Sequence, residues 1–163
     1  MKSIIGTLLL ILAAIIAIFL CSRFILNWFT PVTKQNSQNN VCINSKCFAV
    51  ELAITFSEQE QGLMGREKLD EQRGMLFIFK NEGIYSFWMK NVLIPLDIIW
   101  INKDGKIVFL NKNSQPCKQI ICPPINPNDK ASYILEINAG LAEKYNFKVG
   151  DQVNLEISNT NTY

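Results

Sequence analysis

Histidine is absent from all 163 residues, and this removes a large block of chemistry. Without imidazole there is no Ser-His-Asp or Cys-His arrangement, no His general base and no His-containing metal site. Neither a Gly-x-Ser-x-Gly elbow nor a phosphate-cradling glycine loop occurs in the chain. A strong charge excess is also lacking. Sixteen Lys and Arg stand against fourteen Asp and Glu, for a net charge of +2. The basic residues are scattered, so no nucleic-acid partner is expected. Internal repeats are not evident, and no cofactor or bound metal is expected. The length suits one domain of ordinary size plus an N-terminal extension.

What is present begins with a membrane segment. Ile4–Leu20 carries no charge. At the helical rise it spans roughly 26 Å, close to a hydrocarbon core. Lys2 precedes it, Arg23 follows, and Trp28 and Phe29 suit the interface. No clean Ala-x-Ala cleavage pattern follows, and Phe19-Leu20 before Cys21 is a poor lipoprotein context. The reading favours an uncleaved anchor with its N-terminus in the cytoplasm; a cleaved signal is the alternative. Residues 1–29 are thus the anchor or signal, and 30–40 a flexible polar tether. Residues 41–158 form a β-rich soluble domain, and 159–163 a frayed tail. The soluble domain is expected on the extracytoplasmic side of the cell membrane.

Five cysteines are many for a small protein of a reducing compartment. In Cys42-Ile43-Asn44-Ser45-Lys46-Cys47, a two-residue turn at Asn44-Ser45 would pair Ile43 with Lys46 and face Cys42 with Cys47. Cys117 and Cys122 repeat the four-residue spacing in a loop. Two local disulfides are the favoured reading. A redox role for Cys117–Cys122 and a four-thiolate metal site are the weaker alternatives, since this spacing is not a usual zinc knuckle. Cys21 is left over, at the membrane face.

The densest apolar run outside the N-terminus is Phe87–Ile101, with Lys90 and Asp97 inside it. Pro95 and the β-branched content argue against a helix. The run reads as two strands, Ser86–Asn91 and Leu96–Ile101, joined as a hairpin by Val92–Pro95. That register sets Lys90 opposite Asp97, with Cβ atoms roughly 5 Å apart. Apolar neighbours on both faces imply that both faces are covered. Lys90 and Asp97 then form either a buried ion pair that fixes register or part of a cleft.

Further strands are expected over Cys47–Thr55, Gly74–Phe79, Ile107–Asn111, Tyr133–Ile137 and Gln152–Ile157. Ser57-Glu58-Gln59-Glu60 reads as a capping box, with Ser57 as N-cap of a helix that runs to about Met64 and ends at Gly65. Asn138 would cap a second helix from Ala139 to about Tyr145. Asp104-Gly105 is a strong turn signal. The fold class is therefore mainly β: an antiparallel barrel or sandwich with two short helices, preceded by one transmembrane helix.

Four motifs occur in order: Gly62-Leu63-Met64-Gly65-Arg66; Gly74-Met75-Leu76-Phe77; Phe87-Trp88-Met89-Lys90-Asn91 with Ile94-Pro95-Leu96-Asp97; and Tyr133-Ile134-Leu135-Glu136-Ile137-Asn138-Ala139-Gly140. Together they resemble the uncharacterised bacterial and archaeal family called domain of unknown function 192, over roughly Cys42 to Glu156. The resemblance implies a small, mainly β and often exported protein whose loop over Pro116–Pro124 carries a cysteine pair. Val92 departs mildly from a position usually held by a small hydroxyl residue, and the Cys42–Cys47 pair looks particular to this chain. The family implies no activity.

Function is expected to be that of a membrane-tethered binding or accessory module of the cell envelope. Its candidate cleft groups Arg66, Lys90, Asn91, Asp97, Glu136 and Asn138, walled by Trp88 and Met89, and suits a sugar, peptide or other small molecule. The bland reading pairs Arg66 with Glu136 and leaves Asn138 as a helix cap. The alternative is a hydrolase or transferase using Lys90 and Asp97. A lesser one is copper handling by Met64, Met75 and Met89, although methionines among Leu and Phe are more often core.

Overall fold

The computed structural model describes residue 16 and residues 38–158. Apart from residue 16, the expected anchor over residues 1–29, with Cys21 and Trp28, lies outside the described residues, as do residues 30–37 of the expected tether and the tail 159–163. Among the described residues, no helix is long and apolar enough to cross a membrane.

Within residues 38–158, seven strands and two short helices follow in order. They are β1 (Asn40–Ile43), β2 (Lys46–Ala53), α1 (Phe56–Gln61), β3 (Arg73–Gly83), β4 (Leu96–Ile101), β5 (Ile107–Ser114), β6 (Ala131–Asn138), α2 (Leu141–Lys144) and β7 (Val153–Glu156). They make one mainly β sheet in the order β5-β4-β6-β3-β2-β1-β7. The sheet curls into a half-barrel rather than forming a sandwich. Its pairs are antiparallel except β2 with β3, which run parallel because the chain crosses over through α1. The two edge strands approach each other at one end. Lys106 bridges to Gln152, and the Val153 N–H donates to the Gly105 carbonyl at 2.7 Å. A Cβ on Gly105 would lie 2.8 Å from the Val153 carbonyl oxygen, so the Asp104-Gly105 turn is what lets the edges meet.

Both faces of the sheet are covered, as the unbroken burial of β4 requires. Inside the curl lie Val41, Phe48, Leu76, Ile99, Leu135 and Ile137, with Leu141, Ala142 and Phe147 of the α2 region packed onto them. The outer face carries Met75, Phe77, Leu96, Ile98, Trp100 and Ile134 beneath Leu63, Met89 and Val92. This alternation follows from the period of two along β3, β4 and β6.

The β1–β2 turn sits at Asn44-Ser45, and Cys42 faces Cys47 with Cα atoms 4.0 Å apart. Cys117 and Cys122 are likewise joined. Three local expectations are corrected. The capping box belongs to Thr55 and Glu58, two residues earlier than Ser57 and Glu60, so α1 ends at Gly62 rather than Gly65. The sequence Thr55-Phe56-Ser57-Glu58 has the same Ser/Thr-to-Glu spacing, and the Glu58 carboxylate wins because it accepts both the Ile54 and Thr55 N–H groups. Asn138 does not cap α2; Gly140 stands there in a left-handed conformation. Ser86–Asn91 is not a strand paired with Leu96–Ile101. That segment instead runs over the outer face and makes isolated bridges, Phe87 to Ile125 and Lys90 to Cys117. The place beside β4 is taken by β6, whose Ile137 pairs with Asp97.

Candidate functional site

A cavity of about 290 Å³ opens on the outer face of the sheet. Its position follows from how three segments are fastened over β3 and β6. The Gln59 amide of α1 donates to the Ile78 carbonyl at 2.8 Å, which pins the helix to the sheet. At the helix end Gly62 adopts φ +45°, and a Cβ there would press to 3.2 Å from the Phe77 ring. The chain can therefore turn tightly beside Phe77 only as glycine. The segment over residues 84–92 forms the opposite wall. Trp100 Nε1–H donates to the Tyr85 carbonyl at 2.8 Å, and Phe87 exchanges backbone hydrogen bonds with Ile125. The Cys117 N–H donates to the Met89 carbonyl at 3.1 Å, so the disulfide-closed loop braces this wall.

Aromatic rings dominate the lining. Phe77 packs edge-on against Phe87 at 4.8 Å, and Phe79 stacks on Tyr85 at 3.7 Å. Phe56 and Trp88 stand at the opening, exposed by 80% and 49%. Glu136 of β6 lies among these rings. It is flanked across the sheet by Met75 and Ile98. The residue is only 4% exposed, and its Oε2 is buried with no hydrogen-bond partner among the described residues. Burial pushes its carboxyl up to about 8, so the group is mostly protonated at neutral pH. A neutral carboxylic acid in an apolar cavity can donate or accept one hydrogen bond; ionised, it can hold a cation.

Of the eight residues expected to share a cleft, Trp88 and Glu136 line this cavity. Met89 is buried in the core beneath it. Lys90 and Asn91 flank an adjoining depression that shares Glu60, Gln61, Met64 and Trp88 with the cavity. Arg66 is engaged elsewhere, in a bidentate pair with Glu51 at 2.7 and 2.6 Å, and not with Glu136. Its guanidinium holds the Glu51 carboxyl below the usual carboxylate range. The Asn138 amide donates to the Leu69 carbonyl at 2.8 Å. Asp97 is wholly buried on the inner face, where it accepts backbone N–H groups of Asn113 and Ala142, each at 2.8 Å. The Lys90–Asp97 contact is thus not formed, and the two cannot act together. Met75 is core like Met89, while Met64 lines the cavity. Among the lining residues that sequence reasoning missed are Phe56, Gln59, Phe77, Phe79, Tyr85 and Phe87. Of the residues it named, Trp88 stood out as an aromatic in the central run and Glu136 as a lone charge inside Ile134-Leu135-Glu136-Ile137.

The family model of domain of unknown function 192, described as an uncharacterised ACR, matches residues 39–155. The chain belongs to this family. Two solved structures agree with its fold, each with a TM-score of 0.66. One is a protein of unknown function from Novosphingobium aromaticivorans DSM 12444, 34% identical, covering 71% of this chain and 83% of its own. The other is described as a candidate transcription regulator from Sinorhizobium meliloti 1021, 31% identical, covering 72% of this chain and 92% of its own. Among curated proteins no match is found.

Proposed function

We propose that this DUF192 domain is a small-molecule binding module of the cell envelope, held at the outer face of a membrane by the apolar segment over residues 4–20. One observation carries the binding reading: Glu136, 4% exposed and with its Oε2 unpartnered among the described residues, lines an aromatic-walled cavity. Leaving such a group without a partner costs stability, and nothing in the packing of β6 requires a carboxyl there. A ligand that supplies the missing partner offsets that cost. The cavity volume sits at the lower end of ordinary ligand sites. The uncharged Ile4–Leu20 run and the two cysteine pairs support the envelope placement.

The binding reading is tested with N-phenyl-1-naphthylamine, whose fluorescence rises in apolar sites. The parent chain should bind it at one saturable site. Met64→Trp, which fills the cavity from its half-buried wall, should abolish that signal without lowering the melting temperature. Equal binding by both chains would show that the dye sits elsewhere and remove the support. For placement, a protease added outside intact cells or spheroplasts should cleave a C-terminal tag.

A further inference from the structure

We propose that the cavity takes a small organic ammonium ion, its charge held by the Glu136 carboxylate and its apolar shell by the surrounding rings of Phe77, Tyr85, Phe87 and Trp88. This deepens the binding-module reading and rests on it. Three observations favour a cation over a neutral or anionic guest. Among the described residues the lining contains no Lys or Arg, and its two charged-type residues, Glu60 and Glu136, are both acids. Aromatic walls attract cations through the ring quadrupole, most strongly where water is excluded. Glu136 lines the cavity and its Oε2 atom has no hydrogen-bond partner among the described residues, so no internal bond has to break for the carboxyl to turn to a guest. An anion would meet the opposite of each feature.

The groups around Glu136 leave that assignment intact. On its own strand and across β3 and β4 its neighbours are Ile134, Met75 and Ile98. One strand further, Glu51 already neutralises Arg66. From α1 comes Glu60, and from the wall segment Tyr85. Lys90 stands in the adjoining depression, and Asp97 lies on the inner face bound to backbone N–H groups. A cation entering the cavity therefore favours the ionised form of Glu136, and the displaced proton leaves to solvent. With the free carboxyl at about 8, binding at pH 7 releases about 0.9 proton, and affinity rises about tenfold between pH 7 and pH 9.

Choline and 3,3-dimethylbutan-1-ol make the test, because they differ only by carbon in place of the charged nitrogen. Titrations of the full chain in a non-ionic maltoside detergent, repeated in buffers of different ionisation enthalpy, read affinity and proton release together. The expected result is that choline binds better than the alcohol, releases close to one proton at pH 7 and tightens towards pH 9. Glu136→Gln should weaken choline about tenfold at pH 9 and abolish the pH dependence. Trp88→Ala, at an exposed position that folding does not need, should weaken choline several-fold. Equal or better binding of the alcohol without proton release would overturn the cation assignment while leaving the cavity a binding site. Binding of N-phenyl-1-naphthylamine but of neither probe would also overturn it. If the dye fails as well, the binding-module reading falls with it.

Discussion

The Asp97 carboxylate on β4 accepts the backbone N–H of Ala142 in α2 at 2.8 Å, across the inner face of the sheet. Gly140 at the helix start has no side chain to cap with, so Asp97 supplies the cap from a distant strand. Its other oxygen accepts the Asn113 N–H, where β5 departs from regular pairing with β4. One buried carboxylate thereby ties a helix and a bulge to the central strand. Asp97→Asn keeps the shape but leaves one of these N–H groups without an acceptor. Urea unfolding should show a loss of about 2–3 kcal/mol. Lys90→Met, at an exposed position, should change stability by less than about 0.5 kcal/mol. Equal large losses in the two variants would restore the ion pair that the sequence suggested.

That contrast shows what the sequence could and could not disclose. The Cys42–Cys47 hairpin was legible because its turn, register and disulfide all depend on neighbours within six residues. Two-faced burial of β4 was legible from its unbroken apolar run. The partner of β4 was not. Val92–Pro95 looks like a hairpin link, yet β6, far along the chain, offers a longer apolar surface and takes that place through six paired positions. Local spacing cannot weigh a distant competitor. The cavity was illegible for the same reason. Phe56, Phe79, Tyr85 and Phe87 have no common period and meet only through tertiary packing. Glu136 could be singled out as a buried carboxyl, but its lack of a partner could not.

Stability should fall as pH rises because of Glu136. Its folded value of about 8 lies above the unfolded carboxyl value of 4.5. Between those values the folded state binds more protons than the unfolded chain, so raising pH favours unfolding. The loss begins above pH 4.5 and is complete above pH 8, reaching roughly 5 kcal/mol if no ligand is present. Denaturant midpoints from pH 5 to pH 9 should decline in the parent and stay nearly flat in Glu136→Gln. A parent profile as flat as that of the variant would contradict the assignment.

Gly74 sets the spacing on which Glu136 depends. A Cβ at this position would stand 2.7 Å from the Glu136 carbonyl oxygen and 3.0 Å from the Ile137 side chain. Both neighbours belong to packed β6, so neither can yield cheaply. Gly74→Ala should cost about 2–3 kcal/mol by overpacking. Thermal melting would read this as a clear drop, and an unchanged melting temperature would mean that β3 and β6 part more easily than their pairing implies.

The two disulfides should differ in what their removal does. Each closes a short loop and by loop entropy is worth about 2 kcal/mol. Cys42–Cys47 joins β1 to β2, whereas Cys117–Cys122 braces the segment beneath Phe87 and Met89. Replacing Cys117 and Cys122 by Ser should therefore weaken dye binding in the cavity as well as stability. Replacing Cys42 and Cys47 should lower stability alone. Dye titrations beside urea curves on both double variants check this.

The most direct measurement is the titration of Glu136 itself, by carbon-13 NMR of labelled glutamate carboxyls with Glu136→Gln to assign the resonance. A midpoint near 8 is expected for an acid buried without a partner in the cavity. A midpoint near 4, the range of a solvated glutamate, would mean that Glu136 is hydrated or paired in solution and would contradict the site proposed.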